Sequence, residues 1–363
     1  RNVKIVIYMY TRDLQEIPPS FVLNGRPVFG TFRGHPRRFD IRGVYRPYGV
    51  IPLPTFITNL RIKSRLIFSF NIGEYIGRIS FIDAKIAGFS EVVFWNKNTS
   101  QRFAYHSLMG PRKRLIPHNL EAASTSNYSK RRYTRISWNR EQNRLSVIFD
   151  LKGDSVRPSA RGAFSAVFND SQFAELTSVR PNPTLRRSYA SYSSVLPLHG
   201  SLTLAYNSGE TKTMSESDGV CSFDMTRTYM KFRSHGKSVL GFGEINGKKI
   251  AFKLASESHE SVDTDKYNCN VLFYDGKPTP LPPVVISHYS GMDKKWIIQD
   301  TENMVDLVFT PVSICVNNVN ALIVRSVYHT IYGSFEGTLI TASGEKVSFK
   351  SLAGISENYL IRL

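Results

Sequence analysis

A carboxylate and a guanidinium three residues apart, Asp224 and Arg227 in SFDMTRTY, form the most suggestive chemical pair in the chain. A carboxylate at the mouth of a β-barrel can act as a general acid or base when its surroundings tune its proton affinity. In an extended strand, however, residues three apart point to opposite faces, so the two meet only across a turn or bulge. The plainer expectation is a structural ion pair at a strand end. Glu357 in SLAGISE is the second candidate, either directed into a barrel or serving as a rim residue and hydrogen-bond anchor. The histidines (His35, His106, His118, His199, His235, His259, His288 and His329) show no H-x-H, H-x-E or HExxH spacing, so neither a metal site nor a cofactor is expected. No serine sits in G-x-S-x-G. Gly241-Phe242-Gly243 lacks the further glycine and helix of a phosphate cradle and reads as a strand packed closely on its neighbour.

Basic side chains are the stronger pattern. Arg33, Arg37, Arg38, Arg42 and Arg46 recur with Phe32, Phe39, Tyr45 and Tyr48 between them. Arg112-Lys113-Arg114 and Lys130-Arg131-Arg132 flank one loop, and Arg186-Arg187 lies further on. Guanidinium forks match phosphate oxygens, and interleaved aromatics can stack on bases. Over the whole chain 47 basic against 29 acidic residues give +18. Residues 1–190 hold 31 and 12 of these (31 − 12 = +19), and residues 191–363 hold 16 and 17 (16 − 17 = −1), so the excess sits in one half. Such a field attracts an anionic partner, RNA or an acidic protein surface. The bland alternative is a solvated basic face. RRM and KH signatures are absent, so sequence-specific RNA readout is not expected.

The elements that would carry these residues are strands. Leu198, Gly200, Leu202, Leu204 and Tyr206 share one face of a period-2 run, and Leu145, Val147 and Phe149 share another. Asn246-Gly247 and Asp275-Gly276 separate strand-like runs and suit two-residue hairpins, whose central residues need positive φ. Ser208-Gly209 and Ser343-Gly344 look like further turns. The best helical spacing is short, Asp170 to Val179. A chain of 363 residues implies two domains. The Pro- and Ser-rich stretch 179–197, where the charge balance changes, puts the boundary near 190: a basic domain at 1–190 and a second at 191–363. No apolar run approaches the roughly 20 residues of a membrane span. Three widely spaced cysteines, Cys221, Cys269 and Cys315, suggest reduced thiols in an intracellular compartment, cytoplasmic or organellar. The chain begins at Arg1, so a targeting segment could precede it.

Four stretches in the second half, SFDMTRTYMKF (222–232), VLFYDGKPTPLPPVVI (271–286), KWIIQDTENMVDLVFTP (295–311) and YGSFEGTLITASGEKVSFKSLAGISE (332–357), resemble in order and spacing the family called domain of unknown function 2804. PPSFVLNGRPVFGTFRG (18–34) and the run 65–95 extend the resemblance towards the N-terminus. That family is similar to hydroxyneurosporene synthase-like proteins, which include carotenoid hydratases. The resemblance implies an all-β fold of two tandem antiparallel, lipocalin-like (calycin-like) barrels, each able to hold a small apolar ligand. Asp224 and Glu357 match the family pattern. Cys269-Asn270 stands where relatives show Glu-Asn, and Phe232-Arg233 where they favour Trp, which counts against inherited catalysis. The expectation from sequence is therefore a non-catalytic scaffold whose basic half docks on an anionic partner in a larger assembly. The alternative is a barrel that binds a small apolar ligand or acts on it as a hydratase, isomerase or cyclase.

Overall fold

In the computed structural model, residues 10, 12–49, 53–111, 115–258, 260–321 and 324–362 are described. Strands take up 63% of the chain and helix 2%, as the dense alternation requires. In chain order come β1 (Leu14–Gln15), a small hairpin of β2 (Val22–Leu23) and β3 (Arg26–Pro27), β4 (Gly30–Arg33) and the single-turn helix α1 (Thr55–Leu60). There follow β5 (Ile62–Ile72), β6 (Tyr75–Asp83), β7 (Gly88–Asn96), β8 (Arg102–Met109), β9 (Ala122–Tyr128), β10 (Arg132–Asn139), β11 (Arg144–Leu151), β12 (Ser159–Val167), β13 (Ala174–Pro181), β14 (Ser188–Ala205) and β15 (Thr211–Tyr229). The second half contributes β16 (Arg233–Ile245), β17 (Lys248–Glu257), β18 (Val271–Tyr274), β19 (Lys277–Pro280), β20 (Val285–His288), β21 (Trp296–Gln299), β22 (Val305–Ala321), β23 (Val324–Ile340) and β24 (Lys346–Arg362).

Two antiparallel, barrel-like sheets result. The first runs β8-β7-β6-β5-β15-β14-β12-β11-β10-β9, with β13, β4 and β1 attached through β14. Side chains draw its ends together into a nearly closed barrel: Asn127 on β9 donates to Ser90 Oγ on β7 at 2.9 Å, and Tyr105 on β8 donates to the Pro158 carbonyl at 2.7 Å. The second, β19-β18-β17-β16-β24-β23-β22-β21-β20, is a half-barrel. Asn246 and Gly247 (φ +52° and +77°) and Asp275 and Gly276 (φ +52° and +70°) have the left-handed backbone expected of two-residue hairpins.

The chain crosses between the sheets at residues 230–232, and β14 and β15 belong wholly to the first sheet, while the charge balance changes near residue 190. Charge patterning reports on surface, not on which strands pair. The Pro- and Ser-rich stretch is the hairpin between β13 and β14. The helical spacing over 170–179 gives way: Ala174–Pro181 is a strand held by β14 on one side and β4 on the other. Six consecutive buried positions, Leu176 to Pro181, mark a strand covered on both faces.

Both interiors are filled by side chains. Phe68, Phe70, Phe94, Phe103, Phe149 and Phe164 occupy the first barrel, with Phe70–Phe164 centroids 4.8 Å apart and Phe94–Phe103 5.0 Å apart. Phe252, Phe309 and Phe335 fill the second, with Phe309–Phe335 4.6 Å apart. A Cβ on Gly241 would lie 2.3 Å from the Phe252 ring, so the Gly-Phe-Gly run is indeed a close strand packing. The two units pack face to face through a third cluster, in which Ile76, Val93, Trp95 and Val220 of the first meet Phe242, Phe273, Tyr332 and Ile355 of the second. Among the described residues no helix is long and apolar enough to cross a membrane.

Candidate functional site

Strand alternation sends one set of side chains into the first barrel and the other onto the face that meets the second sheet. Across that outer face, register partners on successive strands form the row Ser193, Asp224, Ile67, Ser80, Glu91 and His106. The row opposite, on the second sheet, is Ala255, Ser238, Glu357 and Thr330. Both carboxylates singled out in the sequence, Asp224 and Glu357, therefore face the same gap. Arg227 does not share it. Three residues from Asp224, it points into the first barrel, as extended geometry demands, and the two form no ion pair.

Each acid in the gap has a cation against it. Asp224 lies 3.1 Å from Lys253 Nζ and accepts the Ser222 hydroxyl at 2.7 Å. Glu357 is gripped by Arg65 at 2.6 Å and by Arg78, and accepts Ser238 Oγ at 3.2 Å. Arg78, fully buried, also reaches Glu91 at 3.2 Å and Thr330 Oγ1 at 2.7 Å, so it ties the two sheets together. Burial pushes the Glu91 carboxyl up, but His106 and Arg78 outweigh it and hold it at about 2. Further along, Arg180 meets Glu257 at 2.5 Å, and Tyr359 donates to the same carboxylate at 3.0 Å. The Tyr189 and Tyr359 phenols are pushed far up, by burial first and then by Glu257, so both keep their protons as donors. Cys269 sits in the field of Arg180 and Tyr189. Phe232 lies in the crossing between the sheets, exposed beneath the Arg61 guanidinium.

The gap is not sealed. Ile67, Ser238, Leu240, Lys253 and Ala255 are only half-buried, so its middle opens to solvent. Small side chains (Ser69, Ser80, Ser191, Ser193, Ser222) line the first sheet's side of it. Fixed cations, hydroxyls and phenols converging from two rigid sheets suit the polarisation and orientation of a ligand oxygen. Lys253, Arg65, Arg78, Glu91, Arg180, Glu257, Tyr189 and Tyr359 were not singled out in the sequence. The available signal was a charge inside a strand whose neighbours on both faces are apolar, as in IKSRLIFSF (62–70) and YIGRISFI (75–82).

The basic residues scatter. Arg33 is exposed at the end of β4, and Arg46 stacks on Tyr45. Arg37, Arg38 and Arg42 gather at a cleft beside His118, with Asp40 bound to Arg38 at 3.0 Å and to Arg42 at 2.8 Å. Lys130 and Arg131 are exposed at the β9–β10 turn, while Arg132 donates to the carbonyls of Arg131 and Lys152. Arg186 is exposed and Arg187 stacks on Tyr48. Arg112, Lys113 and Arg114 lie outside the described residues, as does His259. Asn119, beside the cleft, and the β9–β10 turn stand at opposite ends of seven-residue β9, roughly 20 Å apart at about 3.3 Å per residue.

His118 carries a pH dependence. Burial, then Arg227, pulls its imidazole from 6.5 down to about 4, against the opposing pull of Asp40 at 3.6 Å, while Arg42 adds to the depression. The unfolded chain therefore binds more protons than the folded one between these values. Stability from this residue is full above pH 6.5 and is lost as pH falls towards 4. Urea midpoints measured across that range should fall on acidification, and His118→Gln should flatten the fall; an unchanged slope would contradict it.

The family model that matches, Domain of unknown function (DUF2804), covers residues 24–363. Among curated proteins no sequence matches significantly. Solved structures similar to this chain include CghA with Sch210972 (12% identity, TM-score 0.48, 93% of this chain and 99% of that one) and CghA alone (12%, 0.47, 92% and 98%). Kievitone hydratase from Nectria haematococca is also similar (10%, 0.39, 83% and 88%). The expected non-catalytic scaffold is corrected here. Among the described residues, much of the basic excess is bonded within the fold, which leaves less of it for docking. Arg65, Arg78, Arg140, Arg157, Arg180 and Arg227 are bonded within the fold, and the Arg37–Arg42 cleft and the exposed Lys130–Arg131 turn lie at opposite ends of β9.

Proposed function

Since the chain belongs to the family Domain of unknown function (DUF2804), matched over residues 24–363, we propose that it acts on a small, largely apolar molecule bearing a polar oxygen, at the gap between its two sheets. The observation that supports this most is the convergence of Asp224–Lys253 and Glu357–Arg65–Arg78 from opposite sheets on one partly open gap. Packed barrel interiors take the ligand out of the barrels themselves, where the resemblance alone would put it. Small serines line the gap, apolar Ile67 and Leu240 flank it, and Lys253 supplies a donor. Within the hydratase, isomerase and cyclase classes, this set favours a reaction driven by polarising a carbonyl or hydroxyl oxygen and by holding the ligand in one shape.

Native mass spectrometry of the protein purified at low salt tests the proposal. Wild type should retain a small molecule that is absent from the double variant Lys253→Met/Asp224→Asn. A ligand retained equally by both would place the site elsewhere.

A further inference from the structure

Arg227 is the least explained charge in the fold. It is 1% exposed, on the interior face of β15, and donates to Ser64 Oγ at 2.7 Å, the Ile116 carbonyl at 3.1 Å and the Pro117 carbonyl at 2.8 Å. Its Nε has no partner, and no carboxylate of the described residues lies within ion-pair distance. A buried cation left without a close anion is costly.

Directly above it is a cleft of about 520 Å³ lined by Arg37, Arg38, Arg42, Pro117, His118 and Asn119. Pro117, whose carbonyl Arg227 holds, forms part of the wall. Asp40 is shared between Arg38 and Arg42, and Asp40 and Asp83 both act on Arg227 from beyond ion-pair distance. His118 Nδ1 is buried there without a hydrogen-bond partner, 3.6 Å from Asp40.

We propose that this mouth of the first barrel binds a small molecule through an oxyanion, a phosphate ester or a carboxylate, seated among Arg37, Arg38 and Arg42 above the buried Arg227. Planar forks pair with two oxygens of such a group at once. The volume exceeds that of a bare inorganic ion and suits a metabolite-sized ligand. An extended polyanion is not the occupant, since the cleft is concave and the Lys130–Arg132 cluster lies at the far end of β9. The site is separate from the inter-sheet gap and does not rest on the function proposed for it.

Calorimetric titration of the full chain with inorganic pyrophosphate, and in parallel with citrate, tests this, with the His118 ring followed by NMR. One saturable site is expected, with the His118 resonances moving along the same curve. Arg37→Ala/Arg38→Ala should weaken binding by about tenfold or more, as loss of charged hydrogen bonds does. Lys130→Ala/Arg131→Ala removes the same charge well beyond the roughly 8 Å Debye length and should stay within about twofold of wild type. Tighter pyrophosphate marks a phosphate ester and tighter citrate a carboxylate; either supports the proposal. No saturable binding by either probe, or equal weakening in the two double variants, would overturn it.

Discussion

Arg78→Met is expected to destabilise the protein by about 3–5 kcal/mol, the usual cost of stranding a buried partner. Arg78 is 4% exposed and holds Glu357 on the second sheet, Glu91 on its own sheet and Thr330 Oγ1. Methionine fills similar space but leaves both acids one cation short inside the packed interface. At roughly 2 °C per kcal/mol for a chain of this size, Tm should fall by roughly 6–10 °C in scanning calorimetry. Arg65→Met should cost clearly less, because Arg65 is 17% exposed and Glu357 keeps Arg78. Equal losses in the two variants would mean that Arg78 is not the tie between the sheets.

The second large effect separates packing from chemistry at Lys253. Lys253→Met alone leaves Asp224, 3% exposed, with the Ser222 hydroxyl and no cation, and should destabilise by about 3 kcal/mol. Adding Asp224→Asn removes the stranded charge, and a neutral amide can still bond to Ser222. Much of the lost stability should return, since exchanging both members of a buried pair is often near neutral. The bound small molecule should not return with it, because the ammonium that faces the ligand oxygen is gone. If stability and ligand recover together, the pair is purely structural.

Much of this architecture can be read from the residues. Period-2 alternation and the Asn-Gly and Asp-Gly hairpins encode local geometry, so the strands and turns follow from them directly. The crossing between the sheets at 230–232 does not, because β14 carries its strand straight through the charge transition and pairs on both sides. The separation of Asp224 from Arg227 was legible, since opposite faces follow from spacing alone. Their partners were not: Lys253 meets Asp224 and Arg65 meets Glu357 across 29 and 292 residues of chain, contacts created only when two sheets pack. Net charge misled for the same reason, as it counts buried, bonded arginines together with free ones.

The central claim is that the ligand sits between the sheets and not inside a barrel. A crystal structure of the protein carrying its co-purified small molecule tests it most directly. Ligand density is expected between Lys253 and Glu357, within hydrogen-bond reach of Lys253 Nζ and against Ile67 and Leu240. Density confined to a barrel interior, with the gap between Asp224 and Glu357 closed by side chains alone, would contradict it.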